Sequence, residues 1–109
     1  MKTTVSVLLA LILCAFRMTA GELYGTITDG GKPIASGLKV EIAAAGTVYP
    51  TETDKFGSYR VFVKEKGKCT LTLHVRDQSP AVGLVSYDNS TRYDWILDTK
   101  DGKLSLRRR

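Results

Sequence analysis

Residues 53–75 read Thr-Asp-Lys-Phe-Gly-Ser-Tyr-Arg-Val-Phe-Val-Lys-Glu-Lys-Gly-Lys-Cys-Thr-Leu-Thr-Leu-His-Val. Tyr59, Val61 and Val63 alternate with Arg60, Phe62 and Lys64, and Cys69, Leu71, Leu73 and Val75 alternate with Thr70, Thr72, His74 and Arg76. A period of two residues is the mark of a strand with one face buried and one face wet. Asp54-Lys55-Phe56-Gly57 and Glu65-Lys66-Gly67 punctuate the two runs as turns, through the side-chain acceptor of Asp and the conformational freedom of Gly. The alternation also assigns Cys69 to the core as a small apolar residue, and it points His74 outward.

The same grammar extends in both directions. Upstream, Glu22–Asp29 (ELYGTITD) ends in the turn cluster Asp29-Gly30-Gly31-Lys32-Pro33, and Leu38, Val40 and Ile42 alternate with Lys39 and Glu41. Thr47–Thr53 is a polar strand whose Pro50 cannot donate to a ladder, which places it at a sheet edge. Downstream come Ala81–Tyr87 and Thr91–Asp98, the latter with Tyr93, Trp95 and Leu97 on one face. Asp101-Gly102 then turns into Lys103–Arg107, where Leu104 and Leu106 point inward. No stretch after residue 20 carries a helical period. Seven or eight short strands separated by turn signals predict an all-β fold, a single Greek-key sandwich of about seven strands.

The first twenty residues are of another kind. Lys2 precedes the apolar run Val5–Phe16 (VSVLLALILCAF), and Met18-Thr19-Ala20 ends on a small residue. This is the layout of a secretory signal peptide, a helix removed by cleavage after about Ala20. Arg17 stops the run well short of the roughly 20 apolar residues of a membrane span. Leu13 before Cys14 argues against lipidation, because the residue before a lipidated cysteine is small. The chain therefore divides into a signal peptide, 1–20, and one domain, 21–109, secreted or periplasmic. That domain holds a single cysteine, so no internal disulfide supports it.

Of the 109 residues, 43% are hydrophobic and 25% charged, the composition of a globular chain. The formal charge is +5. Setting aside Lys2 and Arg17 leaves fourteen basic against eleven acidic residues, and the surplus of three equals Arg107, Arg108 and Arg109. A balanced domain body excludes a dedicated nucleic-acid binder, whose basic residues spread over one face.

The order Gly25-x-Ile27-x-Asp29, Gly31-x-Pro33-Ile34-x-x-Gly37, Val40, Thr53-Asp54-x-x-Gly57-x-Tyr59 resembles the carboxypeptidase regulatory-like domain. That family belongs to the prealbumin-like β-sandwiches, beside transthyretin-like and Cna-type B modules. The resemblance covers Gly21–Leu106 and is densest from Gly25 to Val75. It implies that Gly31–Ile34 links the first two strands, that Thr53–Gly57 is a hairpin corner, and that Tyr59 enters the core. Function does not follow from such a fold, which serves adhesins, carriers, enzyme appendages and stalks alike.

Within that resemblance, the hydrolases of 5-hydroxyisourate use several histidines and a Tyr-Arg-Gly-Ser tail, whereas this chain has only His74 and ends Ser105-Leu106-Arg107-Arg108-Arg109. One histidine and one domain cysteine do not make a zinc site. No Asp orienter for a Ser–His pair is visible in the sequence. Asp94 and Asp98 lie about 13 Å apart along one strand, too far for a glycosidase pair. Lys39 and Glu41 point outward, so the isopeptide crosslink of Cna-type modules is not expected. Asn89-Ser90-Thr91 is a glycosylation sequon that also reads as a polar turn.

The expectation is a non-catalytic binding or structural module at the cell envelope or outside the cell, with no cofactor and no metal. Its partner would be an envelope protein or a glycan. The alternatives are an accessory subunit of a larger exported protein and an enzyme whose site a partner completes. Tyr87, Arg92, Tyr93 and Trp95 are the candidate ligand contacts, since aromatic rings among polar groups suit sugars and protein surfaces. The competing reading makes Tyr93 and Trp95 core. Arg107, Arg108 and Arg109 read either as a weak contact to an anionic surface, about 1 kcal/mol each, or as a frayed end.

Overall fold

The chain is described by a computed structural model covering residues 21–109. The segment with Lys2, Cys14, Arg17 and the cleavage point after Ala20 lies outside the described residues. Ten strands follow in order: β1 Glu22–Asp29, β2 Lys32–Pro33, β3 Lys39–Ala44, β4 Thr47–Glu52, β5 Ser58–Phe62, β6 Gly67–Leu73, β7 Ala81–Ser86, β8 Thr91–Arg92, β9 Trp95–Lys100 and β10 Lys103–Arg108. No helix occurs among the described residues.

Two sheets form the sandwich. In the first, β10, β9, β1 and β2 are consecutive neighbours, and β5 and β8 flank the early half of β1. The second runs β4-β3-β6-β7, antiparallel throughout. Pro50 sits on the edge strand β4 opposite Glu41, as its missing N–H requires. The inner faces meet in one core that includes Leu23, Ile27, Val40, Ile42, Tyr59, Leu71, Leu73, Trp95 and Leu97. Cys69 is buried there as a free thiol, and burial pushes its pKa up.

Turn chemistry explains the hairpins. Gly30-Gly31 and Asp101-Gly102 both take positive φ in two-residue loops, the geometry that matches strand twist. Ala45-Gly46 and Arg76-Asp77 do the same, although Ala and Arg carry no signal for it. Asp54 Oδ1 accepts the N–H groups of Phe56 and Ser58, both at 2.9 Å, which shapes the corner before β5. Thr53, itself buried, donates its hydroxyl to Ala35 O (2.7 Å) and accepts Leu38 N–H (3.0 Å). The Gly31–Gly37 segment and the Thr53–Gly57 corner, separate in sequence, are thus sewn together. Gly57 (φ +73) lies so close that a β-carbon there would stand 2.8 Å from Ile27 O.

The downstream region departs from expectation. Thr91–Asp98 is not one strand but two, β8 and β9, both parallel to β1. The interruption falls at Tyr93-Asp94, where the chain closes over Gly25. Tyr93 N–H donates to Tyr24 O (2.8 Å) and Thr26 N–H to Asp94 Oδ1 (2.9 Å). A β-carbon on residue 25 would stand 1.9 Å from Tyr93 O, so only glycine admits this approach.

Candidate functional site

Tyr93 and Trp95 are core. They are 6% and 2% exposed, and their rings stack with centroids 5.6 Å apart. Tyr59 OH donates to Tyr93 O (2.7 Å) and accepts Trp95 Nε1–H (3.0 Å). Burial raises the Tyr59 pKa far above its ordinary value, so the group stays a neutral donor. Tyr93 OH donates to Val85 O (2.9 Å) and accepts Val85 N–H (3.2 Å), meeting both polar groups of one residue on β7. Tyr93 and Trp95 thus leave the candidate ligand set, because their ring faces and polar atoms are all used internally. Tyr87 is exposed, beyond the end of β7.

Arg92, the fourth candidate, is placed where the sequence did not indicate. In the register of the first sheet, Tyr24 of β1 stands beside Arg60 of β5 on one side and Arg92 of β8 on the other. The three form a row across the outer face, Arg60–Tyr24–Arg92. They belong to a groove of about 520 Å³ that also includes Thr51, Glu52, Asp54, Ser58 and Thr26. The floor of the groove is sheet and its far wall is the β4–β5 corner.

Both guanidinium groups are tethered. Arg60 Nε pairs with Glu22 Oε2 at 2.9 Å, and Arg92 Nε pairs with Asp94 Oδ2 at 3.0 Å. Asp94 is in turn fixed by Thr26. Burial pushes its carboxyl up, but the Thr26 N–H, the Arg92 side chain and the Thr26 hydroxyl together outweigh that and hold it below the usual carboxylate range. Arg60 lies 5.9 Å from the Tyr24 ring centre. Among the described residues the terminal nitrogens of both arginines and the Tyr24 hydroxyl have no hydrogen-bond partner. Tethering at Nε removes side-chain freedom in advance and leaves the Nη donors presented.

The outer face of the second sheet is different. Its register aligns Val48, Ala43, Thr70 and Gly83 in one row and Pro50, Glu41, Thr72 and Ala81 in the next. Small side chains fill its middle, with Lys39, Glu52 and Lys68 also on the exposed face. At its end stands the one polar array of note. His74 Nε2 lies 2.6 Å from Glu41 Oε1, and Ser79 Oγ lies 3.2 Å from His74 Nδ1. The His74 hydrogen bond holds the Glu41 carboxyl below its ordinary range. The alternation that points His74 outward also points Glu41 outward, but their juxtaposition comes from β3–β6 pairing and was not legible locally.

The C-terminal arginines are not a frayed tail. Arg107 and Arg108 are in β10; Arg107 Nε pairs with Asp98 at 2.6 Å, and Arg108 covers the Tyr93 ring at 4.5 Å. Arg109 N–H donates to Asp94 O. Among the described residues no group of three or more His, Cys, Asp and Glu side chains converges to hold a metal ion.

The fold defines a two-sheet, all-β sandwich. No family model matches the chain, and no curated protein matches it either.

Proposed function

We propose that this protein is an exported, non-catalytic β-sandwich that acts by binding, at the cell envelope or outside the cell, a glycan or a protein partner. The observation that carries the reading is the Arg60–Tyr24–Arg92 row: two tethered guanidinium groups whose terminal nitrogens have no partner among the described residues, beside an aromatic ring, in a groove between the first sheet and the β4–β5 corner. The region before Gly21 has the layout of a signal peptide, which supports export. A prealbumin-like, Greek-key arrangement of the carboxypeptidase regulatory-like kind is supported by the contact between the Gly31–Gly37 segment and the Thr53–Gly57 corner, which carry the resemblance. An accessory subunit docking on a larger exported protein would use the same face.

The test is affinity capture with the purified protein on a support, native envelope extract, and two salt concentrations. A saturable partner that persists at high salt and is lost with Arg60→Ala supports the reading. Capture that is indifferent to Arg60 and Arg92 overturns the placement of the site.

One observation favours a second reading. Ser79, His74 and Glu41 have the connectivity of a nucleophile, a base and its orienting acid. Ser79 is exposed, so a partner would have to enclose it before hydrolysis became efficient. Turnover of p-nitrophenyl acetate above the buffer rate, measured with and without native envelope extract and abolished by Ser79→Ala, would support this reading; equal rates for both proteins under both conditions would remove it.

A further inference from the structure

We infer that the ligand of the groove is a neutral, hydroxyl-rich glycan, with one sugar ring seated against Tyr24. This rests on the groove being the binding site, as proposed above, and it adds the chemistry of what is bound.

The charges decide between ligand classes. Around the groove stand Arg60 and Arg92, and against them Glu22, Asp94, Glu52 and Asp54. The lining itself balances, Arg60 and Arg92 against Glu52 and Asp54, and Glu22 and Asp94 pair with the two guanidinium groups, so a phosphate, a nucleic acid or a polyuronate finds no net positive charge to bind. A cationic ligand meets those same two groups flanking the ring on both sides. A neutral polyol satisfies every feature at once. Its hydroxyls accept from the free Nη donors, because arginine can only donate. They also donate to Glu52 and to the Asp54 oxygen not used by the turn, because an ionised carboxylate can only accept. Thr26 and Ser58 line the same floor.

Tyr24 is half-buried, with the Arg60 guanidinium 5.9 Å from its ring centre, and the ring surface that remains, with its polar tip, is the combination that suits the C–H face of a sugar ring with its rim of hydroxyls. Among the described residues its hydroxyl has no hydrogen-bond partner, and Tyr24 lines the groove. The groove volume of about 520 Å³ falls inside the range of about 300–1,000 Å³ for small-molecule sites. It is an open groove, not an enclosed cavity, which leaves room for a polymer to extend beyond the bound residue.

The experiment is native affinity electrophoresis of the purified protein. The gels contain dextran, a mixed-linkage β-glucan, mannan or galactan as neutral polymers, and polygalacturonate as the anionic one. Retardation by at least one neutral polymer, unchanged at high salt, is expected. Tyr24→Ala should weaken it at least tenfold and Tyr24→Trp should retain it, with the thermal midpoint of each variant confirming a folded chain. Retardation by polygalacturonate alone, vanishing with salt, would overturn the inference. So would no retardation in any neutral gel, or retardation equal in Tyr24→Ala. If instead the capture experiment returns a protein whose binding needs Arg60 and Arg92 while every neutral gel is blank, the groove remains the site and the glycan inference falls alone.

Discussion

Replacing Gly25 by alanine tests the argument that the groove is positioned by one close backbone approach. The added methyl would stand 1.9 Å from Tyr93 O, 2.6 Å from Tyr93 C and 3.1 Å from Asp94 Oδ1. The first two are backbone atoms, so no side-chain rotation relieves the overlap, and β1 must move away from the Tyr93-Asp94 link. Such overpacking costs about 1–3 kcal/mol. The movement also breaks the Tyr93 N–H bond to Tyr24 O and the Thr26 N–H bond to Asp94, at about 1 kcal/mol each. The sum is about 3–5 kcal/mol, a large share of the roughly 5–15 kcal/mol that holds a domain folded. For a domain of this size each kcal/mol lowers Tm by about 4–8 °C, so the midpoint should fall by about 12–40 °C. Trp95, the sole tryptophan and 2% exposed, reports the transition by fluorescence. Gly30→Ala is the control: its methyl meets nothing within 4 Å and only the positive φ is strained, at about 1–2 kcal/mol. Equal midpoints for the two variants would refute the steric argument.

Tyr59→Phe removes the hydroxyl shared by Tyr93 O and Trp95 Nε1, leaving two buried partners unsatisfied; a loss of about 2–3 kcal/mol in urea denaturation is expected. Ser86→Ala acts in the opposite direction. Its hydroxyl is buried without a partner among the described residues, so the alanine variant should equal or exceed the parent in urea midpoint. The Asp94 and Glu41 carboxyls both titrate below their ordinary values in the folded chain, so each contributes stability that is complete above the unfolded carboxylate range and is lost as pH falls through the folded pKa. Stability measured from pH 6 to pH 3 should therefore decline below about pH 5, and Asp94→Asn should flatten that decline.

The inward half of the molecule was legible because alternation reports which face a residue occupies. Tyr59, Cys69, Leu71, Leu73, Leu97, Leu104 and Leu106 all lie where the period of two puts them. The turns at Gly30-Gly31, Asp54–Gly57 and Asp101-Gly102 were equally plain, since Gly and Asp advertise their conformations. Arg76-Asp77 was not, because arginine rarely enters the left-handed region and gives no warning when it does. The groove was hidden for a different reason. Residues 24, 60 and 92 are brought into one row by strand register, a long-range property that no local window contains. Arg92 alone of the three was a candidate. The break between β8 and β9 was missed likewise, since its cause lies at Gly25 on another strand.

One phenolic oxygen has a wider consequence. The outer rim of β7, with the sequence Ala-Val-Gly-Leu-Val-Ser, is uncharged and contains no proline, the composition of a strand inviting another molecule to extend it. Tyr93 reaches that rim from within and occupies, at Val85, the place where an incoming backbone would bond. A residue buried beside the first sheet thereby satisfies part of the open edge of the second.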